Sequence, residues 1–299
     1  TVWPTGTLAS MPYAVEGDRV RGPGVYDMKG GLAQVVVALA TLRGLGLEPP
    51  VTPVVLVNAD EEVGSRESGR HVRRLARAAC RAFVLEPSLG VEGRLKTERK
   101  GVARYTVIVH GRAAHAGLDP TAGASAILEL SHVIQALFAL NDPARGITVN
   151  VGTIDGGLRP NVVAPESRAV VDVRTRTIAD AQAVDAAIRG LAPATPGTSL
   201  SVEGGPGRPP LEATPRNQAL FATAQRLAED IDLPLEGGLA GGGSDGSTAS
   251  LYTATLDGLG PVGDGAHAAH EYLEVGPTLE RAALLALLLL APPVTHGGP

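Results

Sequence analysis

Four acidic residues, all within one stretch of about sixty positions, have side chains suited to holding divalent metal ions. Asp27 stands in Gly-Pro-Gly-Val-Tyr-Asp-Met-Lys-Gly-Gly, the pair Glu61 and Glu62 follows an apolar run, and Glu86 stands in Val-Leu-Glu-Pro. Far downstream, His267 adds an imidazole. Carboxylates and imidazole are zinc ligands, and paired metal ions promote hydrolysis. The set therefore predicts a two-metal hydrolytic centre.

Two short apolar runs must position these acids. Val54-Val-Leu-Val57 predicts a buried parallel strand whose carboxyl end carries Glu61 and Glu62. Ala82-Phe-Val-Leu85 does the same for Glu86. Because ligands bind outside the carboxyl ends of strands in open α/β sheets, we expect the acids to converge at one sheet edge.

Composition narrows the class of protein. The chain has 299 residues, of which 44% are hydrophobic and 19% charged, so it is globular and holds one large or two moderate domains. Its formal net charge of −5 argues against nucleic acid as a partner. The run Ala282–Ala291 is too short to span a bilayer and predicts a buried helix. We expect no membrane partner and a cytoplasmic protein, with a signal upstream of Thr1 left open.

The residue pattern changes twice along the chain and predicts two domains. An α/β pattern occupies the first hundred residues, and a glycine-rich and proline-rich break at 204–210 precedes its return. Between them the predicted elements are strand 102–109, helix 121–140, strands 146–154 and 167–173, helix 178–191 and strand 199–203. That β-α-β-β-α-β order is ferredoxin-like. We expect a discontinuous domain of residues 1–98 and 209–299, with residues 99–208 inserted into it.

Nine motifs in a fixed order carry a family resemblance over nearly the whole chain. They are Thr1-Val-Trp-Pro with Gly6, Gly22-Pro-Gly-Val-Tyr-Asp-Met-Lys-Gly-Gly31, Asp60-Glu-Glu-Val-Gly-Ser65, Glu86-Pro87, Gly111-Arg-Ala-Ala-His-Ala-Gly117, Asn161-Val-Val-Ala-Pro165, Asp172-Val-Arg174, Gly241-Gly-Gly-Ser-Asp-Gly246 and Gly265-Ala-His-Ala-Ala-His-Glu-Tyr272. The chain resembles the co-catalytic zinc exopeptidases and deacylases, a family that includes glutamate carboxypeptidase, acetylornithine deacetylase, succinyl-diaminopimelate desuccinylase and aminoacylase. The resemblance implies an α/β fold, a mostly parallel sheet with helices on both faces, plus an inserted ferredoxin-like lid domain that forms a homodimer.

The resemblance also assigns metal-site roles. Asp27 would bridge two zinc ions, with Glu62 and His267 completing one site and Glu86 contributing to the other; Co²⁺ or Mn²⁺ can replace zinc. Glu61 would be the general base that takes a proton from water. The peptide bond after Asp27 is often cis in this family. A plainer interpretation of Glu61 and Glu62 is an acidic helix start.

Further residues would contact the substrate. In the resembling enzymes the equivalent of His115 reaches across a dimer to polarise the scissile carbonyl. Asn161 belongs to the same domain, and Arg174 is suited to clamp a substrate carboxylate. The glycine loop formed by Gly241, Gly242, Gly243 and Ser244 offers backbone amides to a carboxylate or peptide.

Alternatives remain open at several of these positions. His270 competes with His267 as the ligand, although His267 keeps the family's four-residue spacing to Glu271. Arg176 competes with Arg174 as the carboxylate clamp. His115 has the alternative of a loop histidine without a role, and the glycine loop that of a plain turn.

One departure from the family pattern affects the metal count. In the family a His-x-Asp motif directly precedes Thr-Val-Trp-Pro and supplies a ligand to the metal that Glu86 binds. Here the sequence begins at Thr1. We hypothesise that the parent protein carries His-x-Asp just before Thr1, and we expect close to one zinc ion per chain and much reduced hydrolysis for the sequence as given.

The expected activity is zinc-dependent cleavage of an amide bond next to an amino acid with a free carboxylate, in the manner of glutamate carboxypeptidase. The substrate would be a small peptide or an N-acyl amino acid, since an N-acyl-amino-acid deacylase is the first alternative. A catalytically impaired binding protein or dimeric scaffold is the alternative of another class.

Overall fold

The computed structural model describes residues 1–293. Its strands are β1 (Ala14–Glu16), β2 (Arg19–Arg21), β3 (Arg81–Phe83), β4 (Leu95–Arg99), β5 (Gly101–His110), β6 (Thr148–Gly156), β7 (Glu166–Thr175), β8 (Ser199–Pro206), β9 (Gly237–Ala240), β10 (Ala254–Leu256), β11 (Gly263–Asp264) and β12 (Tyr272–Glu274). Its α-helices are α1 (Gly30–Gly44), α2 (Gly69–Ala78), α3 (Ala126–Phe138), α4 (Ile178–Arg189), α5 (Pro215–Glu229), α6 (Asp245–Ala249) and α7 (Val275–Leu290). The chain divides into two compact units. Unit 1 consists of Thr1–Arg99 with the residues from Leu211 onward, and unit 2 is Lys100–Pro210.

Unit 2 is one antiparallel sheet with two helices. The strand order is β6-β7-β5-β8, and the chain order β5-α3-β6-β7-α4-β8 is the predicted β-α-β-β-α-β sequence. Alternate residues of β5 are buried, and they pack with α3 and α4 in one core. The hydroxyls of Ser125 and Thr177 accept the backbone N–H groups of Leu128 and Asp180, which begins both helices with a side-chain cap.

Unit 1 has shorter strands in several groups. β3 pairs with β10 and β4 with β9, both in parallel, while β1, β2, β12 and β11 form an antiparallel sheet. Helix α1 packs against α7, whose apolar residues are largely buried as the sequence predicts. By length and hydropathy alone the helical stretch Val25–Gly44 would pass as a membrane span, a test that core helices of soluble proteins also pass.

The predicted buried strand at Val54–Val57 is wrong. This segment has no regular secondary structure and pairs with no strand among residues 1–293. Its four apolar side chains are 41–71% exposed. An apolar run shows that a segment favours burial, but a strand also needs a neighbour at its edge, and the sequence pattern does not show whether one is there. The second predicted run is a strand in part, since β3 covers Arg81–Phe83.

Candidate metal centre and active site

Three of the four predicted metal ligands come together in unit 1. The Nε2 atom of His267 lies 3.0 Å from Oδ2 of Asp27 and 3.4 Å from Oε2 of Glu62. One ligand atom from each residue lies within 4.8 Å of the others. Two carboxylates and one imidazole are the donor types of catalytic zinc sites, so the residues present fit a divalent metal ion.

Asp27 is held in place by a buried carboxylate, Glu271. The Glu271 side chain is 1% exposed and accepts the backbone N–H groups of Gly24 at 2.8 Å, Tyr26 at 3.0 Å and Asp27 at 2.9 Å. It also accepts the indole N–H of Trp3 at 2.6 Å. Because these bonds fix the backbone around Asp27, Glu271 orients this candidate metal ligand. In the sequence Glu271 stands out only by its spacing to His267, because its contacts with Trp3, Gly24 and Asp27 are long-range.

The peptide bond between Asp27 and Met28 is cis, as the resemblance implies. Gly24, which precedes this segment, has φ of 73°. A side chain is disfavoured at that φ, and a Cβ atom there would also lie 2.8 Å from the Lys29 ammonium. Glycine is therefore favoured in the turn that leads into Asp27.

A short 3₁₀ turn, Glu61–Val63, contains Glu61 and Glu62. Two aspartates fix the loop around this turn, Asp60 and Asp245. Asp60 Oδ2 accepts the backbone N–H groups of Glu67 at 2.9 Å and Ser68 at 3.1 Å. Hydrogen bonds from Ser68 hold the pKa of Asp60 at about 2. Asp245 accepts from Asn58 Nδ2 at 2.8 Å and from Ser65 Oγ at 2.5 Å, which ties the loop to α6. Glu62 is exposed towards the metal cluster, and Glu61 is half-buried.

His267 reaches the cluster from the loop between β11 and β12. These two strands pair as a hairpin, and His267 has φ of 61°, in the left-handed region. The structure brings His267 to Asp27 and Glu62 and places its competitor His270 along a neighbouring cavity.

Glu86 lies in a buried charged network next to this cluster but is not a member of it among residues 1–293. Its Oε2 atom lies 3.8 Å from Nη2 of Arg99. Burial, with help from the nearby charge of Asp257, raises the pKa of Glu86 to about 8. The charge of Glu61 also acts on Glu86, so the predicted general base lies near this network.

Arg99 and Asp257 form the centre of that network. Arg99 donates to Asp257 through Nε at 2.7 Å and Nη2 at 3.0 Å, and through Nη1 to the carbonyl of Gly242 at 3.0 Å. Although burial opposes ionisation, Arg99 holds the pKa of Asp257 below its usual range. The fully buried Ser244 hydroxyl donates to Asp257 and accepts the N–H of Gly246. The pair therefore anchors the predicted glycine loop, in which a Cβ at Gly241 or Gly242 would contact nothing within 4 Å.

The predicted substrate residues His115 and Asn161 are neighbours in unit 2. The N–H of Ala116 donates to the carbonyl of Asn161 at 3.0 Å. His115 is exposed, and its Nδ1 accepts the N–H groups of Gly117 at 3.2 Å and Leu118 at 3.1 Å. In a neutral imidazole that accepts at Nδ1, the proton is on Nε2. His115 therefore offers a hydrogen-bond donor at its outer nitrogen.

Arg174, on β7 of unit 2, forms a forked ion pair within its own strand. Its Nε lies 2.7 Å from Oδ1 of Asp172 and its Nη2 lies 3.0 Å from Oδ2. These two bonds orient the guanidinium group relative to its own strand.

Comparisons with known proteins identify a domain of this chain and several relatives. Residues 97–197 match the family model described as the peptidase dimerisation domain. The chain is similar to carboxypeptidase G2 of Pseudomonas sp., with 29% identity over 97% of this chain and 71% of the relative. It is also similar to N-acetyl-L-citrulline deacetylase of Xanthomonas campestris, with 26% identity over 86% of this chain and 69% of the relative.

Two solved structures share the fold. Aminopeptidase PepT from Bacillus cereus superposes with a TM-score of 0.78 at 21% identity, covering 94% of this chain and 76% of the other. A dinuclear metal-binding M20 peptidase from Bacillus subtilis gives a TM-score of 0.65 at 15% identity, covering 86% and 70%. The predicted α/β fold with an inserted dimerisation domain is confirmed. Residues 97–197 are therefore an M20-type peptidase dimerisation domain, and the chain as a whole is similar to peptidases and deacylases of the M20 type.

Proposed function

We propose that this chain hydrolyses an amide bond next to an amino acid that has a free carboxylate, as a carboxypeptidase does. The observation that carries the proposal is the cluster of Asp27, Glu62 and His267, with Glu61 directly before one of its members. The similarity to carboxypeptidase G2 over nearly the whole chain supports a carboxypeptidase.

Zinc is the metal we propose for the site, with Asp27, Glu62 and His267 as its holders. When bound, such an ion acts as a Lewis acid and lowers the pKa of a nearby water molecule towards about 7. Glu86 would belong to a second site that shares Asp27. Its neighbours include Arg99, whose positive charge competes with a cation there, so we propose that the Asp27-Glu62-His267 site binds its ion more tightly.

Two residues of the chain would move or hold protons. Glu61 takes a proton from the attacking water and returns it to the leaving amine, as a general base and then a general acid. His115 donates a hydrogen bond from Nε2 to the oxygen of the scissile carbonyl, where negative charge develops. Because His115 lies in the dimerisation domain, we propose that the active form is a homodimer.

An N-acyl-amino-acid deacylase is the second candidate, favoured by the similarity to N-acetyl-L-citrulline deacetylase. Both reactions use the same water, base and carbonyl donor. They differ in whether the group removed from the amino acid is a peptide or a small acyl group.

A substrate panel with the zinc-loaded chain tests the proposal. C-terminal glutamate conjugates, N-acetyl amino acids and N-succinyl-diaminopimelate would be compared by release of the free amine, with dialysis against a chelator as the control. We expect hydrolysis that requires metal. A chain that binds zinc at Asp27, Glu62 and His267 yet cleaves none of these substrates would favour the binding-protein alternative.

A further inference from the structure

A cavity of about 510 Å³ opens beside the metal cluster in unit 1. Two acidic residues, Asp27 of that cluster and Asp264, line it with His270 and with two basic residues, Lys96 and Arg99. Small-molecule sites have volumes of roughly 300–1,000 Å³ and few, well-placed polar groups. The cavity therefore has the size of a substrate site and two positive charges in its wall.

The two positive charges differ in their availability to a ligand. Arg99 already donates to both oxygens of Asp257 and to the carbonyl of Gly242. The Lys96 ammonium forms no hydrogen bond and no ion pair within 4 Å among residues 1–293. The carboxylates of Asp257, Glu86 and Asp27 act on this ammonium only through their charges, so its N–H groups remain available to an anion that enters the cavity.

Local structure fixes where the Lys96 side chain begins. Lys96 lies in β4, and its backbone N–H donates to the carbonyl of Asp257 at 2.9 Å. Gly258 has φ of 75°, and a Cβ atom there would lie 3.0 Å from Cγ of Lys96. Glycine at this position leaves room for the lysine stem, which therefore passes closely over the backbone of Gly258.

We propose that Lys96 is a specificity-determining residue whose ammonium pairs with a carboxylate of the substrate in the cavity beside Asp27. The proposal rests on the proposed function, because it assumes that the substrate occupies this cavity. It narrows the substrate class to compounds that place a carboxylate there, either the side-chain carboxylate of an acidic residue or the free α-carboxylate.

Binding measurements on a catalytically silenced chain test the proposal without turnover. In the zinc-loaded Glu61→Gln protein, calorimetry would compare N-acetyl-L-glutamate with N-acetyl-L-glutamine, which lacks the side-chain carboxylate, and N-acetyl-L-isoglutamine, which lacks the α-carboxylate. Each ligand would be measured with Lys96 present and with Lys96→Met. We expect Lys96→Met to weaken N-acetyl-L-glutamate about 10-fold to 100-fold, the range of a charge-assisted hydrogen bond.

The amide ligands identify which carboxylate is bound. If Lys96→Met weakens the binding of N-acetyl-L-glutamate and N-acetyl-L-isoglutamine but not that of N-acetyl-L-glutamine, Lys96 pairs with the side-chain carboxylate. If Lys96→Met weakens the binding of N-acetyl-L-glutamate and N-acetyl-L-glutamine but not that of N-acetyl-L-isoglutamine, Lys96 pairs with the α-carboxylate. Equal loss for all three ligands, or no loss for any, would overturn the proposal.

Three variants separate charge from packing. Lys96→Arg should restore most of the glutamate affinity, because it keeps a positive charge, whereas Lys96→Gln should resemble Lys96→Met. Lys100→Met removes the same charge at a lysine that does not line the cavity and should leave all three affinities within about twofold. Turnover measured with the unsubstituted chain tests the proposed function separately. A chain that binds N-acetyl-L-glutamate through Lys96 but hydrolyses no substrate would contradict the proposed hydrolysis and not the role of Lys96.

Discussion

The two units of this protein stabilise their structures in different ways. Unit 2 has one four-stranded sheet whose buried residues alternate along the two central strands, β5 and β7, and pack with two helices in one apolar core. Unit 1 has short strands in separate groups and buries charged residues, among them Arg99, Asp257 and Glu271. Buried charges are costly unless they are paired. The buried charges of unit 1 lie around the candidate site, whereas the buried carboxylates of unit 2, Glu129 and Asp180, bind groups of that unit's own loops.

The largest effect is expected from a substitution in the candidate site of unit 1, and it should lower the rate of hydrolysis without unfolding the chain. Replacing Glu61 with glutamine removes the proposed base while keeping the side-chain volume, so kcat should fall by about 10²-fold to 10⁴-fold. Zinc content, measured by metal analysis, should stay as in the parent. Glu67→Gln, at an exposed position in the same loop, is the control and should leave kcat unchanged. A full loss of zinc in Glu61→Gln would assign Glu61 to the metal and not to proton transfer.

The second prediction concerns the buried ion pair of unit 1. Asp257→Ala leaves the Arg99 guanidinium buried without its carboxylate and should destabilise unit 1 by about 3–5 kcal/mol. Asp155→Ala in unit 2 is the matched control, because its pair with Arg168 is exposed and should contribute less than about 1 kcal/mol. Hydrogen exchange of α5 and β10 against β5 and β7 would report the two units separately. Similar losses from both variants would remove the distinction between the units.

The difference between the two units also explains how much of each unit's structure the sequence predicts. In unit 2 the strand at 102–109 is observed as Gly101–His110, and the helix expected at 121–140 is Ala126–Phe138. The helix begins later than expected because Ser125 caps it and Pro120 starts a separate 3₁₀ turn. Alternation and capping are local patterns, and they suffice where one sheet and two helices form one core.

In unit 1 the local patterns predict less. The family motifs predict Asp27, Glu62 and His267, which the structure brings together. The contacts that hold this site join residues far apart in the chain, such as Arg99 with Asp257 and Gly24 with Glu271. No periodicity marks an arginine for a particular aspartate, so the sequence analysis missed these pairs. The prediction for Val54–Val57 failed for the same reason, because strand neighbours are also long-range partners.

A third prediction tests whether Glu271 positions the metal ligand. Glu271→Gln replaces one accepting oxygen with an NH₂ group that faces the N–H donors of Gly24, Tyr26 and Asp27. We expect zinc affinity to fall about 10-fold to 100-fold, as for residues that orient metal ligands. Competition with a chromophoric chelator would measure it. Glu274→Gln, whose carboxylate pairs with Arg19 on the surface, is the control and should keep the parent affinity.

The smallest effect is expected from the buried carboxylate of unit 2, Glu129. It accepts the N–H groups of Ala194 and Thr195, and although burial opposes ionisation, these hydrogen bonds hold its pKa below the usual 4.5. The unfolded chain therefore binds this proton at a higher pH than the folded chain does. The contribution of Glu129 is present above pH 4.5 and is lost as the pH falls through the lower folded pKa.

Glu129→Gln should accordingly destabilise unit 2 by about 1 kcal/mol at pH 7, and the difference from the parent should shrink below pH 4.5. Urea unfolding across that pH range would measure it, with the exposed Glu203→Gln as the control in the same unit. Unlike the changes in unit 1, this one should leave zinc affinity unchanged, because Glu129 fixes a loop and not a metal ligand. A fall in zinc affinity with Glu129→Gln would show that the site depends on the packing of both units.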